Sequence, residues 1–328
     1  MQFYRHDEVP VHVPGAMVTR RQAGLGLFAV TLLWGGTFVW MKQALNSLES
    51  EVEYHSETAI AATIVASRFL IAFVLLLAVS NKARKALLSK EDWFGGLILG
   101  GLMLAGFVLQ MIGIESVTPS VSAFLTSLYV VFTALLSVKL SDRRPTRTMI
   151  AGVILATLGA GLIDGPPHIV WGAGEILTVA CAFFFALHII YTDSITKRLD
   201  PIAVSSTSFA VLIIGGSIIV ALSAKDTSVV EATWKEGVVL PLLCLGIFGS
   251  FACILALNAF QRHLNPTHAA IIYSFEPVWA TLYGWQQDLI DVSPWLAMGL
   301  LLLLGNIVVE LDESGDETPH LNEDAGPE

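Results

Sequence analysis

The sequence predicts an all-α integral membrane protein with ten transmembrane helices in two inverted five-helix repeats. Three observations lead to this fold class: an apolar composition, ten apolar stretches of about the length of a membrane span, and an internal repeat. Of the 328 residues, 54% are hydrophobic and only 14% are charged, and the mean hydropathy is +0.68. An ordinary soluble domain has about 25% charged residues. The composition therefore disfavours a soluble fold, and ten crossings leave no room for a separate soluble catalytic domain.

Ten apolar stretches are candidates for transmembrane helices, which need about 20 residues to cross a bilayer. Since some of them carry polar residues at their ends, nine or eleven spans also fit the pattern. The first stretch lacks a small-x-small cleavage site, so we expect it to remain in the protein rather than to be removed as a signal peptide. The predicted spans are residues 24–45, 59–80, 93–114, 121–140, 146–163, 172–191, 202–222, 238–260, 267–285 and 292–311.

The distribution of Lys and Arg predicts the orientation, because these residues are retained on the cytoplasmic side of short connections. If the N-terminus is cytoplasmic, the segments on that side hold 14 basic residues, and those on the other side hold only two, Lys225 and Lys235. We therefore expect a multi-pass protein of the cell membrane (inner or plasma membrane) with both termini in the cytoplasm.

Three polar segments lie outside the predicted spans. Residues 1–23 are expected to form a cytoplasmic N-terminal segment, and residues 312–328 an acidic, disordered cytoplasmic tail that holds much of the net charge of −10. The acidic segment 49–57 is expected to be a solvated loop. Nothing in the chain is basic enough to bind nucleic acid, so the predicted partners are a small-molecule substrate and membrane lipid. The sequence leaves the oligomeric state open.

An internal repeat divides the chain into two halves, residues 24–163 and 164–311. At an offset of 147 residues, Thr118-Pro119 aligns with Asn265-Pro266, and Ser127 aligns with Ser274. The first and sixth spans align more loosely, with Trp34-Gly35 opposite Phe185-Ala186. Because each half has an odd number of spans, the second half is inverted relative to the first. Inverted halves are typical of carriers that open alternately to the two sides of a membrane.

Several short motifs, each weak alone, are specific in combination. They are Leu32-Leu33-Trp34-Gly35-Gly36-Thr37-Phe38, Arg68-Phe69-Leu70, the stretch from Gly106-Phe107-Val108-Leu109-Gln110 through Ala123-Phe124-Leu125-Thr126 to Tyr129-Val130-Val131, Asn265-Pro266-Thr267 and Ser274-Phe275-Glu276-Pro277-Val278-Trp279. With these motifs, residues 24–311 resemble the drug/metabolite transporter superfamily with tandem EamA-type domains.

The resemblance implies a ten-span carrier with a central cavity between its halves. Members of the superfamily move amino acids, sugars, nucleotide precursors or drugs, usually outward, so the expected substrate is a small metabolite or amphipathic compound, amino-acid-like or drug-like. The chain departs from the family pattern in two places. Leu289-Ile290 stands where many members have Gly-Glu, and Leu257 stands where many have Gln.

Two charged residues, Arg68 and Glu276, lie near the middle of predicted spans, where insertion of a charge costs about 2.5–3.5 kcal/mol. Glu276 lies near the middle of the ninth span, directly before Pro277, whose missing N–H group leaves carbonyl groups free and kinks the helix. Glu276 is therefore predicted to bind a substrate or a proton, or else to satisfy the kinked backbone. Arg68 lies halfway along the second span and is predicted to form an ion pair, to snorkel, or to bind an anion.

Six further residues place polar atoms or aromatic rings in otherwise apolar spans. Each either hydrogen-bonds between helices or lines a ligand cavity. With Glu276, we predict that they bind the substrate between the first, third, fourth, sixth, eighth and ninth spans. These six are Trp34, Gln110, Tyr129, His188, Asn258 and Tyr273.

Two other classes of function are compatible with parts of the sequence. His188 and Asp193 have the spacing of the acid–base pair of glycerolipid acyltransferases, so a membrane-embedded lipid-modifying enzyme is an alternative. An uncoupled pore or facilitator is another. No nucleotide-binding, metal-binding or nucleophile motif occurs, and the three cysteines lack metal-site spacing. We therefore expect no enzyme activity, cofactor or metal, and we expect a proton as the coupling ion.

Overall fold

The computed structural model describes residues 18–52, 54–140, 147–162 and 172–287, together with residues 294, 295 and 298. These residues form helices and connecting turns without a β-strand. Apart from residues 294, 295 and 298, the predicted tenth span lies outside the described residues, as do residues 1–17 and the acidic tail. The fold is thus all-helical over the part of the chain that the structure describes, as the apolar stretches predict.

The helices follow the predicted spans with ends that shift by a few residues. Their order is α1 (Arg20–Asn46), α2 (Glu49–Val52), α3 (Glu57–Val79), α4 (Asn81–Ala86), α5 (Lys90–Ser116), α6 (Pro119–Ser127), α7 (Tyr129–Leu140), α8 (Arg147–Leu162), α9 (Ala173–Thr196), α10 (Pro201–Ser223), α11 (Ser228–Ala232), α12 (Val239–Cys244), α13 (Cys253–Phe260), α14 (Pro266–Tyr273) and α15 (Glu276–Gln286).

Seven helical segments of the described chain are long and apolar enough to cross a membrane: α1, α3, α5, α6 with α7, α9, α10, and the segment from α12 through α13. The fifth predicted span corresponds to α8, which has 16 residues, and the ninth corresponds to the two short helices α14 and α15. The count of ten spans therefore stays a prediction.

Three predicted spans depart from a regular α-helix. The fourth breaks at Leu128 between α6 and α7, and the ninth breaks at Ser274 and Phe275 between α14 and α15. The eighth contains a π-helical segment, Leu245–Ala252, between α12 and α13. Such wide turns are often found at functional sites.

The breaks in the fourth and ninth spans have the same local construction. Proline occupies the first turn of both α6 and α14. Backbone N–H groups in a first turn have no acceptor within the helix, so the missing N–H group of proline loses no hydrogen bond there. At the breaks, the Ser127 hydroxyl donates to the carbonyl of Phe124 at 2.6 Å, and the Ser274 hydroxyl donates to that of Ile271 at 2.5 Å. Both pairs are related by the offset of 147 residues that the sequence shows.

Close packing fixes the positions of the long helices. Helix α5 packs against α9 and α10, α3 packs against α10 and the π-helical segment, and α1 packs against α15. Gly100 allows one of these approaches, since a Cβ atom there would lie 2.7 Å from the backbone oxygen of Ser208. On the outer faces, Val74 and Ile218 are exposed at 56% and 55%. Such apolar exposure suits contact with lipid.

A polar cluster joins the α2–α3 connection to the α10–α11 connection. The Tyr54 hydroxyl donates to a carboxylate oxygen of Asp226 at 2.7 Å, and His55 Nε2 lies 3.0 Å from the Ser228 hydroxyl. Lys235 forms an ion pair with Glu51 at 2.7 Å. Hydrogen bonds from Ser228 and Tyr54 lower the pKa of Asp226 to about 2. The segment predicted as a solvated loop is therefore partly tied to the second half of the chain.

Candidate functional site: a central cavity

A narrow cavity of about 50 Å³ lies between α1, α5, the α6–α7 break, α9, α13 and the α14–α15 break. These elements belong to the six spans that the sequence analysis expects around the substrate. Fifteen of the described residues line the cavity: Trp34, Thr37, Phe38, Met103, Phe107, Gln110, Thr126, Tyr129, Phe185, His188, Ile189, Ile254, Leu257, Tyr273 and Glu276.

Aromatic rings form much of the wall. The rings of Trp34 and Tyr273 meet edge to face with centroids 5.5 Å apart, and those of Phe107 and Phe185 meet in the same way at 5.1 Å. Such geometry favours the pair beyond the burial of its surface. Trp34 and Phe185 each contact both clusters of buried apolar side chains, so they connect the two parts of the core beside the cavity.

Hydrogen bonds fix several of the polar side chains in the wall. The Trp34 indole N–H donates to the carbonyl of Gly249 in the π-helical segment at 3.1 Å. Gln110 donates to the Thr126 hydroxyl at 3.2 Å, and the Tyr273 hydroxyl donates to the side-chain carbonyl of Gln261 at 3.0 Å. These groups are therefore positioned by other helices before any ligand enters.

Other polar groups of the wall lack such a bond. The Tyr129 hydroxyl and His188 Nε2 are buried without a hydrogen-bond partner among the described residues. Buried polar atoms in native proteins nearly always have a partner, whether protein or water. These two atoms are thus free to bond a ligand or water in the cavity.

Among the described residues, Glu276 is the only carboxylate in the wall, and it is 4% exposed. It opens α15, directly after the break, so its side chain lies beside the positive end of that helix dipole. The Tyr129 hydroxyl lies within electrostatic range of the Glu276 carboxyl without a well-formed hydrogen bond. No Lys or Arg of the described chain forms an ion pair with Glu276.

Six of the seven residues predicted to bind substrate line this one cavity; the exception is Asn258. It donates to the Ser205 hydroxyl of α10 at 2.7 Å, and its neighbour Leu257 faces the cavity instead. Arg68 does not line the cavity and forms no ion pair with a described residue. That the cavity residues bind a substrate stays a prediction.

The structure also adds lining residues that the sequence analysis did not single out, among them Thr37, Phe107, Phe185 and Ile254. The internal repeat could have identified them, because each aligns with another lining residue in the opposite half of the chain. Thr37 aligns with His188 and Trp34 with Phe185 at an offset of 151 residues, and Phe107 aligns with Ile254 at an offset of 147.

The acid–base pair of the enzyme alternative is not assembled. His188 faces the cavity, whereas Asp193 forms an ion pair with Lys197 at 2.7 Å. Residues five apart on an α-helix point about 140° away from each other. The described residues show no hydrogen bond between His188 and Asp193.

Comparison with known proteins decides the family. The EamA-like transporter family matches the chain twice, over residues 22–163 and 172–309. The chain belongs to the EamA-like transporter family. This membership confirms the resemblance that the sequence motifs indicate.

Individual relatives of this EamA-like protein agree with the assignment. It is 28% identical over 296 residues to an uncharacterized transporter of Archaeoglobus fulgidus, covering 90% of this chain and 87% of the relative. It is 22% identical over 284 residues to the uncharacterized transporter YoaV of Bacillus subtilis, covering 85% and 93%. A crystal structure of a protein that is 14% identical shares the fold, with a TM-score of 0.65 over 90% of this chain and 99% of the other. The family and the named relatives indicate a multi-pass membrane transporter rather than an enzyme.

Proposed function

We propose that this EamA-like protein is a secondary carrier that moves a small metabolite or amphipathic compound, amino-acid-like or drug-like, outward across the cell membrane by alternating access. The observation that carries the proposal is the pairing of the residues around the cavity. Fourteen of the fifteen lining residues form seven pairs related by the offsets of the sequence repeat: Trp34 with Phe185, Thr37 with His188, Phe38 with Ile189, Phe107 with Ile254, Gln110 with Leu257, Thr126 with Tyr273, and Tyr129 with Glu276.

A cavity lined by equivalent positions of two halves suits alternating access. If the halves, residues 24–163 and 164–311, are inverted relative to each other, exchanging their conformations opens the cavity to the opposite side. The two family matches, over residues 22–163 and 172–309, support this division. The 14 to 2 distribution of basic residues supports cytoplasmic termini for both ends of the chain.

The chemistry of the pairs is asymmetric, and this asymmetry points to the coupling group. Tyr129 in the first half corresponds to Glu276 in the second, and only the second position can carry a full negative charge near neutral pH. A carboxyl group without a basic partner, enclosed by aromatic rings, is suited to exchange a proton or to bind a cationic group of the substrate. We therefore propose Glu276 as the proton or substrate site.

Flux into proteoliposomes tests the proposal. The purified protein is supplied with a mixed panel of metabolites, including amino acids, and uptake is read by mass spectrometry with and without an imposed pH gradient. We expect saturable uptake of at least one compound, acceleration by the gradient, and loss of that acceleration in Glu276→Gln. Glu236→Gln is the matched control, because Glu236 is an exposed loop carboxylate outside the cavity.

Each alternative gives a different result. Saturable flux that ignores the gradient and survives Glu276→Gln contradicts the proton coupling and leaves an uncoupled facilitator. Flux that does not saturate indicates a pore. No flux of any compound contradicts the carrier function.

A further inference from the structure

Arg68 is a cation enclosed at the centre of the helix bundle. It lies midway along α3, its side chain is 0% exposed, and it is the largest fully buried side chain of the described residues. Burial of an unpaired charge is strongly unfavourable, so a buried guanidinium normally has an acidic partner. The function of the cavity residues described above does not involve this cation.

The guanidinium group is only partly satisfied. Nε donates to the Ser250 hydroxyl at 2.8 Å, whereas both terminal nitrogens, Nη1 and Nη2, lack a hydrogen-bond partner among the described residues. The guanidinium lies over the rings of Phe107 and Phe69, with its central carbon 4.6 Å and 5.4 Å from their centroids. Cation–π contacts of this kind stabilise the charge without using its N–H groups. The N–H groups of Nη1 and Nη2 therefore remain available to donate hydrogen bonds to an oxyanion.

Arg68 lies directly behind the cavity wall. Phe107, whose ring covers the guanidinium, is itself a lining residue. Nη2 packs closely against Gly249, since a Cβ atom there would lie only 3.1 Å from that nitrogen and would also collide with the lining residue Thr37. Cys253 lies within electrostatic range of both Arg68 and Glu276.

We propose that Arg68 is an anion-binding subsite of the central cavity and takes the carboxylate of the transported compound through Nη1 and Nη2. The planar guanidinium matches a carboxylate with two parallel hydrogen bonds. For a carboxylate in the cavity to reach Nη1 and Nη2, the Phe107 side chain must rotate away from the guanidinium that its ring covers. The inference rests on the proposed function, because it assumes that the cavity holds the transported compound.

Three probes with the same phenylethyl body separate the chemical groups: 3-phenylpropionate carries only the acid, 2-phenylethylamine only the amine, and phenylalanine both. Their binding to the purified full-length protein is measured by calorimetry. We expect Arg68→Gln to weaken binding of both acids at least tenfold and to leave the amine within twofold of the wild type. Arg68→Lys is expected to recover part of the loss. Retained binding of the amine shows that the variant is folded, and Arg84→Gln, an exposed arginine of α4, is the control.

The outcomes distinguish this inference from the carrier function. Equal loss of all three probes in Arg68→Gln, or unchanged binding of the acids, overturns the subsite and leaves Arg68 as a packing residue. Saturable wild-type flux that is restricted to compounds without an acid group overturns the subsite and leaves the carrier function intact. Absence of saturable flux for the whole metabolite panel overturns the carrier function and the subsite together.

Discussion

The polar side chains around the cavity differ in how they are held. Tyr273 and Tyr129 show the contrast, since both are buried tyrosines whose rings lie 6.4 Å apart. The Tyr273 hydroxyl is bonded to Gln261, which in turn donates to the carbonyl of Ile189 at 2.7 Å. The Tyr129 hydroxyl has no hydrogen-bond partner in the described structure. One residue therefore supports the wall, and the other presents an available group to the cavity.

This contrast gives a matched pair of substitutions. Tyr273→Phe is expected to lower the free energy of unfolding by about 1–3 kcal/mol, because it leaves the buried Gln261 oxygen without its donor. Tyr129→Phe is expected to lower the stability less than Tyr273→Phe does, because the Tyr129 hydroxyl has no hydrogen bond of good geometry in the described structure. Unfolding of both variants in the same detergent measures the difference, and equal destabilisation contradicts the assignment of roles.

At the scale of single residues, the sequence identifies the ionisable and polar positions but not the directions in which their side chains point. Glu276 and Gln110 stand out because polar residues are rare in apolar spans, and both line the cavity. Asn258 stands out for the same reason but faces Ser205. The rotation of a uniformly apolar helix about its axis depends on its neighbours, so the sequence alone does not show which face meets the cavity.

At the scale of elements, the two broken spans are the most informative feature. Each break places the N-terminus of a short helix at the cavity, with Tyr129 opening α7 and Glu276 opening α15. Helix N-termini carry a partial positive charge, which favours negative groups nearby. The breaks therefore supply the cavity with polar backbone as well as side chains. Pro277, the second residue of α15, predicts a kink in the ninth span from the sequence. No proline lies at Leu128, so the sequence does not predict the break there.

Glycines in α5 allow a prediction about close helix packing. Gly100 faces the backbone of α10, whereas Gly101, the next residue, has nothing within 4 Å of an added Cβ. We expect Gly100→Ala to destabilise the protein by about 1–3 kcal/mol through overpacking. Gly101→Ala is expected to be neutral or stabilising by up to about 1 kcal/mol, because Ala favours the helix. Unfolding of the two variants in detergent measures the difference in stability. A similar change in stability for both variants would contradict this prediction.

At the scale of the whole molecule, polar contacts join the two halves at both ends of the bundle. At one end, Lys235 pairs with Glu51, and at the other, Lys82 pairs with Asp200, each at 2.7 Å. Both lysine side chains are mostly exposed, at 61% and 67%. Exposed ion pairs add at most about 1 kcal/mol to stability, so such contacts can open during a transport cycle.

The same two lysines test the proposed orientation. With cytoplasmic termini, Lys235 faces the outside and Lys82 faces the cytoplasm. We therefore expect Lys235→Cys to react with a membrane-impermeant maleimide in intact cells, and Lys82→Cys to react only after permeabilisation. The wild-type protein is the control for labelling of its native cysteines. The reverse pattern would show that the orientation is inverted.

The sequence by itself determined the helical class, the approximate limits of most spans, the repeat and the family. These features depend on the length of each apolar stretch and on the identity of its residues, and both can be read along the chain without knowing which segments are in contact. The tertiary structure decided which faces converge: it joined Thr37, Phe185 and Ile254 to the cavity, turned Asn258 away, and left the terminal nitrogens of Arg68 without a partner. The physical reason is that the rotation of a helix about its axis and its close approach to other helices depend on packing between segments distant in sequence. The hydrophobicity of a single span does not determine this packing.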